Sequence, residues 1–421
     1  MGSIARIIRN LLAGKESTFT FTRMGEIPVM ERADVHLYVH VPFCKGHCPY
    51  CPYYKLPFDQ DQVKRYANLL IREIDILADL YGRLRVPSVY FGGGTPALLG
   101  DDLGRVTGRL ADRFDVDAIA MELRPENCDP EGVARLADGG VTQVSMGVQS
   151  FQPDLLQNIG RGVTVPVLEE GLARLAGAGF KGVNADMMFV LPGQTMGQLK
   201  ADMERIVLAG VDQVTCYPLF TFPYTAAGRH LERKRLQMPS LGERHDQYRF
   251  LWDFFTARGY APTSVWSFLR PGAPRFSSVT RDSYIGLGAG AATYLPGHFW
   301  FNPFDVGLYR NRLDRGRLAG NMHMNVGPRL SDLYWLYWRL YETRVPTDGL
   351  RARFPDRTHP MRLMMGAITA LGMGRREDGH IRLNRKGAFW VHLAQNHFML
   401  DCIDTFWTRS LDNPAAAEIR I

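Results

Sequence analysis

A chain of 421 residues, 46% hydrophobic and 22% charged, can bury one large core with a smaller appendage. It holds no unbroken apolar run of the roughly 18 residues a membrane span needs, and six cysteines are too few for a disulfide scaffold. The net charge of +7 comes from scattered arginines; the one dense cluster, Arg229, Arg233, Lys234 and Arg235, lacks interleaved aromatics and reads as a solvated helix face, not a nucleic-acid surface.

Residues 1–33 read as an N-terminal extension, with a short amphipathic helix over 4–12 and then a Thr/Phe-rich stretch. The start has no apolar h-region or cleavage site, so no signal peptide is expected, and unpaired thiols point to a reducing cytoplasm. From residue 34 to 240 short β-branched or apolar runs recur at 35–41, 88–92, 118–123, 143–148, 182–189 and 213–218. Helical patterns separate them. The first, over 60–81, repeats Tyr66, Leu69, Leu70, Ile74 and Leu77 at helical spacing. Six strand–helix alternations predict parallel strands joined by right-handed crossovers, and six units suit an open, partial (β/α)6 TIM-type barrel in an α/β fold. Functional residues of such barrels sit at the carboxyl ends of the strands.

The rhythm changes beyond residue 240. The segment 241–319 reads as a barrel-completing, substrate-side region that opens on a helix. Its string Gly286-Leu-Gly-Ala-Gly-Ala291 lacks the spacing and following acid of a dinucleotide loop and predicts a close-packed turn near the barrel mouth. Residues 320–421 form a small α+β domain in which 377–387 reads as turn, strand and helix.

The most informative string is Tyr38-Val-His-Val-Pro-Phe-Cys44, continuing to Cys48 and Cys51 with Tyr50 beside the last. Three thiolates on one loop, spaced C-x3-C-x2-C, can hold three irons of a [4Fe–4S] cube and leave the fourth open. Zinc would need a fourth ligand, for which His47 or His40 stands near, but the usual second cysteine pair is missing. Cys128, Cys216 and Cys402 read as small buried hydrophobes, with a pocket-facing position as the alternative for Cys216 at its strand end.

Further strings follow in order: Tyr90-Phe-Gly-Gly-Gly-Thr-Pro96, Glu122-Leu-Arg-Pro125, Val144-Ser-Met-Gly-Val-Gln-Ser-Phe151, Gly160-Arg161 and Asp186-Met-Met-Phe-Val-Leu-Pro-Gly-Gln-Thr195. With the cysteine loop, these make the chain resemble the radical S-adenosylmethionine (SAM) enzymes, in the oxygen-independent coproporphyrinogen III oxidase-like (HemN-like) branch. The resemblance implies a [4Fe–4S] cluster on Cys44, Cys48 and Cys51, whose open iron binds SAM and cleaves it reductively to a 5′-deoxyadenosyl radical. It assigns cofactor contacts to Tyr38, Tyr50, Gly93, Gly94, Thr95, Glu122, Gln149, Arg161, Asp186, Tyr217 and Pro218. It further implies a winged-helix-like C-terminal domain, a small-molecule substrate, a reductant such as flavodoxin or ferredoxin, a monomer, and no nucleic-acid or membrane partner.

Two departures from the branch guide the reaction class. Where haem chaperones carry a His-Asn-x-x-Tyr-Trp string, this chain has Pro274-Arg-Phe-Ser-Ser-Val279, and Gly160-Arg-Gly-Val-Thr164 lacks the usual histidine. The expectation is therefore a two-SAM methylase or cyclopropanase, adding a methyl or methylene group to an sp2 carbon of a natural-product-type substrate. The alternatives are porphyrin or haem chemistry, such as oxygen-independent coproporphyrinogen III oxidation, and a non-enzymatic haem-trafficking role. Trp266, Phe268, Tyr284, Tyr294 and Trp300 are the candidate pocket aromatics.

Overall fold

The structure is a computed structural model, and residues 19–28, 34–277 and 282–421 are described, the side chains of 397–401 excepted. The expected helix at 4–12 and the stretch 278–281 lie outside these residues.

The strands are β1 (Thr20–Arg23), β2 (His36–Val41), β3 (Val89–Gly93), β4 (Ile119–Leu123), β5 (Gln143–Gln149), β6 (Gly182–Phe189) and β7 (Gln213–Pro218). They continue with β8 (Ala261–Pro262), β9 (Ser267–Leu269), β10 (Tyr284–Leu287), β11 (Ala292–Leu295), β12 (His298–Phe301), β13 (Met322–Asn325) and β14 (Glu418–Arg420). β2 to β7 lie side by side in chain order and all pair in parallel. Each crossover therefore steps the same way, which winds the sheet into an arc of barrel instead of a doubly wound sheet. Buried on both faces, these strands read as near-continuous apolar runs: every residue of β3 is buried.

The sheet runs on past the six expected strands. β10 adds in parallel to β2, and β11, β12, β13, β1 and β14 follow antiparallel. At the other end β7 pairs antiparallel with β9, which pairs with β8. The result is one open sheet of 14 strands. β1 falls in the stretch read as an extension, and it lies in the sheet between β13 and β14.

Helices cover the outer face. α1 (Gln60–Tyr81) begins where the Asp59 carboxylate accepts the Gln62 N–H and ends at Gly82 (φ 75°). Its buried stripe of Val63, Tyr66, Ala67, Leu70, Ile74 and Leu77 includes one charged residue, Glu73. α2 (Leu103–Arg113), α3 (Pro130–Asp138), α4 (Val165–Gly177) and α5 (Met196–Leu208) complete the crossovers, and α6 (Leu241–Thr256) follows β7. Reciprocal capping boxes start α5 at Thr195/Gln198 and α6 at Ser240/Glu243.

The string read as a turn is part strand: Gly286 and Leu287 belong to β10, and the close-packed turn begins at Gly288. A Cβ on Gly288 (φ 95°) would meet the His40 carbonyl oxygen at 2.4 Å. Beyond it, α7 (Pro328–Tyr341) and α8 (Arg385–Asp412) flank a three-stranded antiparallel sheet of Arg344–Pro346, His380–Leu383 and Gly374–Glu377. This unit has its own core around Leu336, Val345, Phe354, Met365 and Ile381.

Candidate active site

The carboxyl ends of β2 to β7 open into a cavity of about 490 Å³ lined by all three loop cysteines. Two elements hold the cysteine loop there. Gly94 donates its N–H to the Val41 carbonyl at 2.8 Å, and the Thr95 hydroxyl lies 3.2 Å from Cys44 Sγ. A Cβ on Gly94 would sit 2.6 Å from the Phe43 carbonyl oxygen and 2.8 Å from the Pro42 carbonyl, so only glycine lets the two loops approach this closely.

Cations face the thiols. Arg161 Nη1 lies 3.9 Å from Cys48 Sγ and 3.2 Å from the Tyr50 hydroxyl, and its other terminal nitrogen donates to the Gly147 carbonyl. Arg124 Nη1 stands 3.6 Å from the same sulfur. Three thiols on one cavity, with two guanidiniums against Cys48, have the chemistry of a site for an anionic iron–sulfur cluster.

Two carboxylates face the cavity further along the rim. Burial pushes Glu122 up to about 7, opposed by a 2.7 Å hydrogen bond donated by the Tyr90 hydroxyl. Burial also raises Asp186 to about 6, although Asn184 (2.9 Å) and Ser145 (3.2 Å) donate to it. Neither carboxylate has an ion-pair partner within 4.0 Å among the described residues. Arg161 is 7% exposed, and its Nε is buried without a partner. Buried anions and a donor left open are what a zwitterionic, hydroxyl-rich cofactor such as SAM would satisfy. These residues therefore fit the cluster and SAM.

Two residues at the strand ends hold unusual backbone. Gln149 (φ 75°) closes β5 and Val190 (φ 61°) follows β6, both in the left-handed region that non-glycine residues avoid. The Gln149 amide oxygen accepts the Tyr217 hydroxyl at 2.7 Å, which holds both side chains at the cavity.

Of the residues expected at the site, Cys44, Cys48, Cys51, Tyr50, Gly93, Gly94, Glu122, Gln149, Arg161, Asp186 and Tyr217 line the cavity. Thr95 lies just behind, on Cys44. Tyr38 and Pro218 do not line it: the Tyr38 hydroxyl is 3.0 Å from His40 Nδ1, and Tyr38 stacks on Tyr90. Of the five candidate aromatics only Trp266 reaches the cavity; Phe268 instead packs at 4.7 Å on Phe255 in the core. Cys216 is core as well, 1% exposed against Met203. Sequence reading missed the opposite wall, where Phe276, Tyr337, Trp338, Tyr341, His392 and Asn396 close the space. Phe276 lies in the departing string 274–279; the other five sit on plain helices, Tyr337, Trp338 and Tyr341 on α7 and His392 and Asn396 on α8, and belong to no motif.

A sequence profile described as the radical SAM superfamily matches residues 38–206. The chain is 32% identical over 267 residues to the heme chaperone HemW of Lactococcus lactis, spanning 62% of this chain and 69% of that protein. It is 28% identical over 366 residues to the anaerobilin synthase of Escherichia coli O157:H7, spanning 84% and 81%. Its fold matches that of coproporphyrinogen III oxidase HemN from Escherichia coli with a TM-score of 0.76 at 21% identity, covering 92% of this chain and 95% of that one.

Proposed function

This chain belongs to the radical SAM superfamily, in its HemN-like branch, and on that premise we propose that it is an enzyme acting on a tetrapyrrole of the haem or porphyrinogen class. The family's cofactors are a [4Fe–4S] cluster and SAM; when bound, they supply a carbon-centred radical that abstracts hydrogen. Cys44, Cys48 and Cys51 would hold the cluster. Glu122, Asp186, Gln149, Arg161 and Tyr50 would orient SAM by its ammonium, carboxylate and hydroxyl groups, and the aromatic walls would exclude water.

The observation that carries this reading is the similarity to an anaerobilin synthase, which covers 84% of the chain and so extends beyond the barrel to the part that closes the cavity. Methyl or methylene transfer from a second SAM, the first expectation from the sequence, has no support from the relatives named above and ranks behind tetrapyrrole chemistry. A haem-carrying role is the second reading, favoured by the 32% identity to a heme chaperone.

Products separate the readings. Anaerobically reconstituted protein with SAM, dithionite and either haem or coproporphyrinogen III should form 5′-deoxyadenosine in proportion to an altered tetrapyrrole. Haem bound but recovered unchanged selects the carrier. S-adenosylhomocysteine alongside 5′-deoxyadenosine, with both tetrapyrroles untouched, returns the methyl-transfer reading.

A further inference from the structure

The wall facing the cysteine loop carries a polar group with nothing to bind. His392, on α8, is 3% exposed, lines the cavity, and has its Nε2 buried without a partner. Its ring packs edge-on against Trp266 at 4.5 Å and lies 5.5 Å from the Tyr341 ring. The proton position follows from its neighbour. Gln395 Nε2 donates to the Tyr337 carbonyl at 2.8 Å, so its amide oxygen is the atom 3.3 Å from His392 Nδ1. An amide oxygen only accepts; Nδ1 therefore carries the hydrogen and Nε2 presents a bare lone pair.

The ring also stays neutral. Burial lowers its pKa to about 3, and Arg244 nearby pushes the same way. A buried acceptor without a donor keeps its full desolvation cost, which a ligand removes by supplying an N–H or O–H. One helical turn on, Asn396 Nδ2 is a second buried group without a partner on the same wall. Arg275, also on the lining, is tied to Glu342 at 2.7 Å. The lone pair of His392 and the amide of Asn396 together suit a donor–acceptor edge of a ligand.

We propose that His392 Nε2 is a specificity-determining acceptor for a pyrrole-type N–H of the substrate, with Asn396 donating to a neighbouring acceptor of the same molecule. This rests on the tetrapyrrole reading for the identity of the ring system but not for the acceptor itself. In porphyrinogens and open-chain tetrapyrroles the pyrrole-type nitrogens keep hydrogens and the rings tilt out of a common plane, so an imidazole above that plane can reach an N–H. In haem those nitrogens hold iron and offer no hydrogen.

The test uses cluster-loaded protein with SAM, and two kinds of probe measured by equilibrium titration. Indole and its carbocyclic isostere indene differ only in the N–H; biliverdin is an open-chain tetrapyrrole whose binding is read from induced circular dichroism. Wild type should prefer indole over indene by about tenfold, and His392→Phe should erase that preference while indene binding holds. His392→Gln, which restores an acceptor, should recover part of it, and Asn396→Leu should weaken biliverdin alone. Cluster absorbance and near-ultraviolet dichroism report folding for each variant; if His392→Phe misfolds, His392→Gln against wild type decides. An indole preference without biliverdin binding leaves the acceptor standing and removes the tetrapyrrole reading. Biliverdin binding equal in wild type and His392→Phe, with no indole preference, overturns the acceptor. A haem Soret shift that depends on His392 overturns it too, because the ring is then an iron ligand.

Discussion

Arg124 sets a second guanidinium against Cys48, at 3.6 Å, and Glu126 pairs with it at 3.2 Å. A cation beside a cluster stabilises the reduced, more negative state, so removing it should lower the reduction potential. Arg124→Gln is expected to leave iron content unchanged and shift the potential negative in an EPR-monitored redox titration; no shift would show the charge to be screened. Glu122 and Asp186 make a different prediction. With pKa values raised by burial to about 7 and about 6, both lose their protons in turn between pH 5.5 and 8, the protonated forms prevailing at the lower value and the ionised forms at the higher. If they hold the cationic end and hydroxyls of SAM as proposed, affinity should rise about tenfold between those pH values, since one pKa unit corresponds to about 1.4 kcal/mol. Glu122→Gln should flatten that profile in calorimetric titrations. The sequence made Glu122 and Asp186 legible because each opens a recognisable string. Arg124 and His392 were not legible, since an arginine inside such a string and a histidine in a plain helix say nothing until their neighbours are placed.

Loops at the strand ends do most of the positioning. A Cβ on Gly94 would meet main chain, which cannot swing aside, so Gly94→Ala should push the cysteine loop outward. The expected cost is about 1–3 kcal/mol, together with reduced iron per chain after reconstitution; full iron loading would contradict it. α1 carries the other test. Glu73 is 1% exposed and accepts the Gly288 N–H at 2.7 Å and the Tyr309 hydroxyl at 2.6 Å, which ties the helix to the glycine turn behind the site. Burial raises its pKa to about 7 despite these donors. Because the folded value lies above the unfolded one near 4.5, its protonated form favours the fold. That contribution is complete below about pH 4.5 and fades as the pH climbs through 7. Denaturant midpoints should fall over this interval in wild type and fall less in Glu73→Gln. The helix itself was legible to its ends from periodicity, whereas the acid's role required the distant turn at Gly288.

Across the whole molecule, six parallel strands were legible because each alternates with a helix and the first five carry a recognisable string in or after the strand. The eight further strands were not, since all are two to four residues long and β1 and β14 come from distant parts of the chain. Those two pair directly, with Ile419 opposite Phe21 and 1% exposed. Ile419→Asp would bury a charge in that seam and should lower the melting temperature by several degrees, with cluster binding retained in the folded fraction. Within the stretch read as the C-terminal domain, 322–325 and 418–420 lie in the large sheet, and α8 reaches the cavity through residues that carry no signature.

The cavity is thus assembled from two stretches of chain joined through one helix. α8 sets Phe389 and Phe406 into the core of the large sheet, while α7 sets Leu336 and Leu340 into the core of the small one. Refitting one generator of reactive species to new molecules therefore means exchanging His392, Asn396 and their cavity-lining neighbours while those buried anchors stay fixed.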